Sequence, residues 1–146
     1  QANLLRSAED IKALAKSRVS VRLVKGAYKE DEETAYQSEI GIEGSFFNIA
    51  ANLYRSRANR PAIATHDELL LEDIECMLPD AKYFDYEFLY GIRRDLQKEM
   101  KDKGNRVRIY VPFGENWLPY TLRRLKEWKN LKFVVFNMIR ELFRRP

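Results

Sequence analysis

The feature that most constrains this chain is a rhythm. Four short runs rich in β-branched or aromatic residues recur, each followed by a helical stretch, at Val19–Lys25, Pro61–His66, Lys82–Leu89 and Val107–Val111. Between them the apolar spacing is helical. Ser7 is a candidate N-cap with Glu9 and Asp10 in the first turn and Ile11, Leu14 and Ala15 on one face. Ser45 is expected to cap a helix through Arg57, with Phe46, Ile49, Ala50 and Leu53 inward. Asp67 is expected to cap another, burying Leu70, Leu71, Ile74 and Met77, and Pro79 prevents its continuation. A charged helix from Ile92 to Lys103 ends at Gly104. Residues 30–44, acidic and containing Gly41 and Gly44, read as a loop or a broken helix. Trp117–Trp128 and Leu131–Phe143 read as two final helices, although Leu131–Phe136 also has strand composition.

Strands alternating with helices predict an α/β protein whose parallel strands are covered by helices. A doubly wound sheet and a TIM barrel both fit this order. A barrel needs eight strand–helix units and typically about 250 residues. With four units in 146 residues, a barrel reading makes this chain one partial barrel domain, residues 1–146, corresponding to the second half.

Composition narrows the partners. The formal charge is +4, and much of the excess lies late, in Arg123, Arg124, Lys126, Lys129, Lys132, Arg140, Arg144 and Arg145. An anionic partner or a solvated helix face accounts for it equally well. The aromatics sit in apolar patterns rather than an exposed basic stripe, so nucleic acid is not expected. No apolar run approaches the roughly 20 residues of a membrane span, and the polar opening residues do not predict a signal peptide. The single Cys76 offers neither a disulfide nor a metal framework and fits a reducing compartment. No metal is expected.

Each strand run ends in polar residues. The first gives Arg22, Lys25 and a Gly26-Ala27-Tyr28 turn; the second gives Thr65, His66 and Asp67. The third gives Asp85, Glu87 and Tyr90, and the fourth gives Tyr110, followed by Tyr120, Arg123 and Arg124. In parallel α/β folds the C-terminal strand ends form the active face. Each group has a plainer alternative. A charge such as Arg22 within a strand is costly unless paired, and an ion pair with Glu87 or Asp85 explains it. Lys25-Gly26 also reads as a simple turn, His66 as a neighbour of a helix cap, and Arg123-Arg124 as surface. From the residues alone the reading ends at an α/β domain with an anion-friendly face.

Five motifs in order carry the reading further: VRLVKGAY (Val21–Tyr28), AIATHD (Ala62–Asp67), EFLYGIR (Glu87–Arg93), VRIYVPFG (Val107–Gly114) and the pattern from Trp117 to Glu127. Together they resemble proline dehydrogenase, and the opening Gln1-Ala2 resembles the end of that family's fourth barrel strand. The resemblance implies strands five to eight of a distorted (β/α)8 TIM-type barrel. It implies an FAD-dependent oxidoreductase that converts L-proline to Δ1-pyrroline-5-carboxylate by hydride transfer to flavin N5, with a quinone-type electron acceptor.

The implied roles follow residue by residue. Arg22 would act catalytically beside flavin N5, and Gln1 would bond the isoalloxazine edge. Lys25, Gly26 and Ala27 would line the ribityl–pyrophosphate path. Thr65 and His66 would bind the phosphate and adenosine side, and Glu127 the adenosine ribose. Arg123 and Arg124 would grip the substrate carboxylate, and Tyr28, Leu89, Tyr110 and Tyr120 would wall its ring. Asp85 stands where the family often has Glu, and Glu87 where Gln is common. The family's first three strands, most of the fourth, and several of its substrate contacts are absent from the sequence. The chain is therefore expected to be a fragment needing that half or another copy of itself. A cytoplasmic location is expected, with at most peripheral contact at the inner face of a membrane. The alternative is a non-catalytic half-barrel module.

Overall fold

The structure is a computed structural model, and it describes residues 1–114 apart from Ala27, Lys29 and Pro112. The two final helices expected beyond Gly114, and the alternative strand there, lie outside the described residues. The elements in chain order are α1 (Ser7–Lys16), β1 (Arg22–Val24), α2 (Glu39–Arg55), β2 (Ala62–Ala64), α3 (Glu68–Met77), a 3-10 turn (Ala81–Tyr83), β3 (Asp85–Leu89), α4 (Arg94–Asp102) and β4 (Arg106–Tyr110). The four strands form one parallel sheet in the order β1-β2-β3-β4. The expected α/β class with parallel strands is therefore what forms.

Local chemistry sets most boundaries. Asp67 caps α3 by accepting from the Leu70 N–H at 3.3 Å. Gly104 ends α4 in a left-handed conformation, φ +83°. Three expectations are corrected. Ser7 is not the cap of α1: it lies in the first turn after Arg6, and its hydroxyl donates to the Gln1 carbonyl. Helix α2 begins at a cap on Ser38 rather than Ser45, so residues 39–44, Gly41 and Gly44 included, are helical. The Ser38 hydroxyl accepts from the Gly41 N–H at 3.1 Å, a cap strong enough to start the helix before its glycines. Met77, expected inward, is exposed, because it falls on the last turn of α3 beyond the buried stripe of Leu70, Leu71 and Ile74.

The core lies on one side of the sheet. Leu23, Ile63, Tyr86 and Phe88 join Phe46, Ile49 and Leu53 of α2, Leu70, Leu71 and Ile74 of α3, and Leu96 and Met100 of α4. Alternate strand residues point to opposite faces. Residues of the other parity are therefore aimed away from this core, and Arg22, Asp85, Glu87, Arg106 and Arg108 among them carry charge. Among the described residues no helix is long and apolar enough to cross a membrane.

Candidate functional site

The parallel register stacks the second face in rows. Arg22, Ala62, Asp85 and Arg106 lie side by side across the four strands; so do Val24, Ala64, Glu87 and Arg108; and Leu89 lies beside Tyr110. The alanines of β2 are small. They leave room for the Arg22 guanidinium to cross β2 and meet Glu87 on β3, through Arg22 Nε. Arg108 binds both acids, bonding Glu87 through Nη1 at 2.7 Å and Asp85 through Nη2. Arg106 Nε donates to Asp85 at 2.5 Å, and Arg60 reaches the same carboxylate at 3.4 Å. Asp85 and Glu87 are buried, with side chains only 3% and 4% exposed, so this pairing is what makes two interior carboxylates tolerable. Burial pushes the Asp85 pKa up, but Arg106, Arg108 and Arg60 more than offset it and hold it below the usual carboxylate range. The Arg22 guanidinium carbon stands 5.9 Å from the centre of the Tyr110 ring, a cation–π arrangement.

A second group forms where the strands end. The Leu89 N–H donates to His66 Nε2 at 3.0 Å. Nε2 is thus an acceptor, which places the ring proton of neutral His66 on Nδ1. Burial, helped by nearby Arg93, lowers the His66 pKa from its ordinary 6.5 to about 4. The ring is therefore a neutral donor at physiological pH, not a cation. It packs at a tilt against Phe88, 5.8 Å between centres. Arg93, buried and in a left-handed conformation before α4, bonds Glu68 at 2.8 Å and Asp95 at 3.1 Å. Thr65 is buried, and its hydroxyl accepts from the Asp67 N–H at 3.2 Å.

After β1 the chain turns through Gly26 with φ +106°. A Cβ there would stand 2.0 Å from Asn3 Oδ1, so only glycine fits. Asn3 is 4% exposed, and its amide nitrogen donates to the Tyr28 carbonyl at 3.4 Å. The opening residues lie beside the end of β1: the Ala2 N–H bonds the Val24 carbonyl and the Asn3 N–H the Lys25 carbonyl, each at 2.8 Å. This puts exposed Gln1 at the same strand end as Gly26. The Lys25 ammonium turns instead to Glu39 and Glu43 of α2, both at 2.9 Å, and Asp67 at 2.7 Å. Burial lowers its pKa, but the three carboxylates overcome that and hold it above the ordinary lysine value. Those three carboxylates could gather around a metal ion, and the ammonium already supplies their positive charge.

Of the residues singled out in the sequence, Arg22, Leu89 and Tyr110 share the charged face. Gln1, Lys25, Gly26, Tyr28, Thr65 and His66 gather at the ends of β1 and β2. Ala27, Tyr120, Arg123, Arg124 and Glu127 lie outside the described residues. The possible pairing of Arg22 with Glu87 is present; Asp85 is bound by Arg60, Arg106 and Arg108 instead. Sequence reasoning missed these three arginines, as well as Arg93 and Asn3. Arg106 and Arg108 alternate with Tyr110 along β4, a period-2 signal placing all three on one face. Arg93 lies inside a motif quoted above, but nothing in the pattern shows that it is buried.

Fold and site together define a class: a parallel α/β unit whose sheet carries a guanidinium–carboxylate face, with polar groups gathered at the C-terminal strand ends. The proline dehydrogenase family profile matches residues 1–135, and the chain belongs to that family. It is 36% identical to proline dehydrogenase 1 of Bacillus subtilis subsp. natto, covering 97% of this chain and 48% of that protein. It is equally identical, 36%, to proline dehydrogenase of Deinococcus radiodurans, covering 96% of this chain and 46% of that protein. The chain thus spans about half the length of these curated relatives. Among solved structures it resembles proline utilization A (PutA) of Bradyrhizobium japonicum, with TM-score 0.78 and 27% identity over 92% of this chain and 16% of that one.

Proposed function

We propose that the chain forms strands five to eight of a (β/α)8 barrel and contributes to oxidation of L-proline to Δ1-pyrroline-5-carboxylate, with FAD as hydride acceptor. The observation that carries this reading is the charged face: Arg22 is steadied between Glu87 and the Tyr110 ring, in a chain of this family. The residues present suit a flavin dinucleotide in three ways. Gly26 turns the backbone at the end of β1 through a φ of +106°, neutral His66 offers an Nδ1 proton, and Arg22 carries a permanent positive charge. Bound FAD supplies a two-electron acceptor at its ring.

In this reading Arg22 stabilises negative charge on that ring, and Gln1 bonds its edge. Lys25, Gly26 and Ala27 line the pyrophosphate path. Thr65 and His66 take the adenosine side, with Glu127 on the ribose. Arg123 and Arg124 hold the proline carboxylate, and Tyr28, Leu89, Tyr110 and Tyr120 confine the ring. Their apolar walls favour the neutral amine. The C–H bond beside nitrogen breaks and its electron pair leaves as hydride; the nitrogen lone pair closes the C=N bond, and the N–H proton passes to water. Reoxidation would use a quinone-type acceptor reached by peripheral membrane contact from the cytoplasm.

One feature favours the second reading, a non-catalytic half-barrel module: Lys25, the lysine meant for phosphate, is already neutralised by three carboxylates. The two separate on one experiment. The polypeptide carrying this chain together with a proline dehydrogenase N-terminal half is mixed with FAD and L-proline, and flavin absorbance is followed. Uptake with proline-dependent bleaching, cut at least about 100-fold by Arg22→Ala, is expected. Absence of flavin uptake defeats the enzyme reading in favour of the module.

A further inference from the structure

We infer that Glu87 is a positioning residue that fixes the Arg22 guanidinium and lowers the electron affinity of the flavin held against it. The second half of this statement rests on the flavin reading above; the first does not. Arg22 is a long side chain on the edge of the described sheet, about half exposed, and would ordinarily sample many rotamers. Its charged anchor is Glu87, buried at 4% exposure and itself held by Arg108 at 2.7 Å. Within this ion pair Nε is the guanidinium nitrogen nearest the carboxylate. The Tyr110 ring bounds the guanidinium on another side, 5.9 Å from its central carbon.

The contact has an electrostatic consequence. A carboxylate bonded to Arg22 cancels part of the field that guanidinium would exert on a neighbouring flavin. Asp85 is the other acid on this face, but it is bound by Arg60, Arg106 and Arg108 and not by Arg22. The effect on Arg22 is therefore specific to Glu87. An amide in its place would keep the shape and an acceptor for Nε, but not the charge.

The test has a flavin-free and a flavin-bound arm. In the flavin-free protein, hydrogen exchange at Arg22 Nε, followed by NMR, is slow. It accelerates about tenfold in Glu87→Gln, the loss expected when the carboxylate charge that holds the guanidinium is removed. Glu87→Asp, which keeps a buried charge for folding but shortens its reach, also accelerates it. Exchange unchanged in both variants overturns the positioning role, whether or not flavin binds. In the flavin-loaded protein joined to a proline dehydrogenase N-terminal half, Glu87→Gln makes the midpoint potential more positive. At a fixed poise it raises the ratio of reduced to oxidised flavin about tenfold, as a unit charge one guanidinium away should. Asp85→Asn shifts it less, and the Glu87→Gln shift shrinks in an Arg22→Lys background. An unmoved potential, or the same shift in that background, overturns the tuning role. Failure of the wild-type protein to take up flavin sinks the proposed function instead, and leaves the exchange result to decide the role of Glu87.

Discussion

The two faces of this sheet are made by the same strands, yet they are held together by different physics. On one, Leu23, Ile63, Tyr86 and Phe88 are buried against the helices, and stability comes from carbon removed from water. On the other, Asp85 and Glu87 are just as buried, but among four guanidiniums. There the gain from pairing is largely consumed by desolvation. The first face tolerates any substitution that keeps volume and polarity. The second tolerates changes only in pairs, because removing one charge strands its partners.

That contrast can be broken at three points. The largest effect is expected on the apolar face: Phe88→Ala leaves a cavity at a site 2% exposed and should cost about 3–5 kcal/mol in urea unfolding. A loss under about 1 kcal/mol would mean this face is not the core. Next comes His66, at the boundary between the faces. Its folded pKa is depressed, to about 4 from 6.5. The unfolded chain therefore takes up a proton first, and the stabilising contribution is complete above pH 6.5 and lost as pH falls toward 4. Up to about 3 kcal/mol should disappear across that window. Unfolding measured between pH 4 and 7 should show the slope in the wild type and not in His66→Asn. The smallest effect is on the charged face. Asp85→Asn should cost about 2 kcal/mol, less than the buried-pair limit because its arginine partners are half exposed. Added salt should narrow the gap between wild type and variant, whereas it should not narrow that of Phe88→Ala; equal salt responses would erase the distinction between the faces.

The apolar face was the legible one. Its residues repeat with the period of the element that carries them, so Phe46, Ile49 and Leu53, or Leu70, Leu71 and Ile74, can be read inward from spacing alone. Caps were legible where one residue type dominates, as at Asp67, and illegible where two serines compete, as Ser38 and Ser45 did. The charged face was legible only in part. That Arg22 needs a partner follows from its place in a strand; which partner it takes depends on β2 offering alanine at positions 62 and 64, a register fact the sequence does not announce. The capture of Lys25 by Glu39, Glu43 and Asp67 was hidden for a related reason. Two of those acids lie in a segment read as a loop or a broken helix, and only an unbroken helix starting at Ser38 brings them one turn apart toward the lysine.

The order of the strands has a consequence for how the molecule comes into being. Among the described residues, each strand after the first lies beside the one made just before it, so none of these four has to slip between two neighbours already joined. As the polypeptide emerges from the ribosome, each new segment meets a finished border to dock on, and construction can proceed in the direction of translation. A doubly wound sheet, whose order reverses at its centre, lacks that convenience: part of its chain must return to a border left behind earlier.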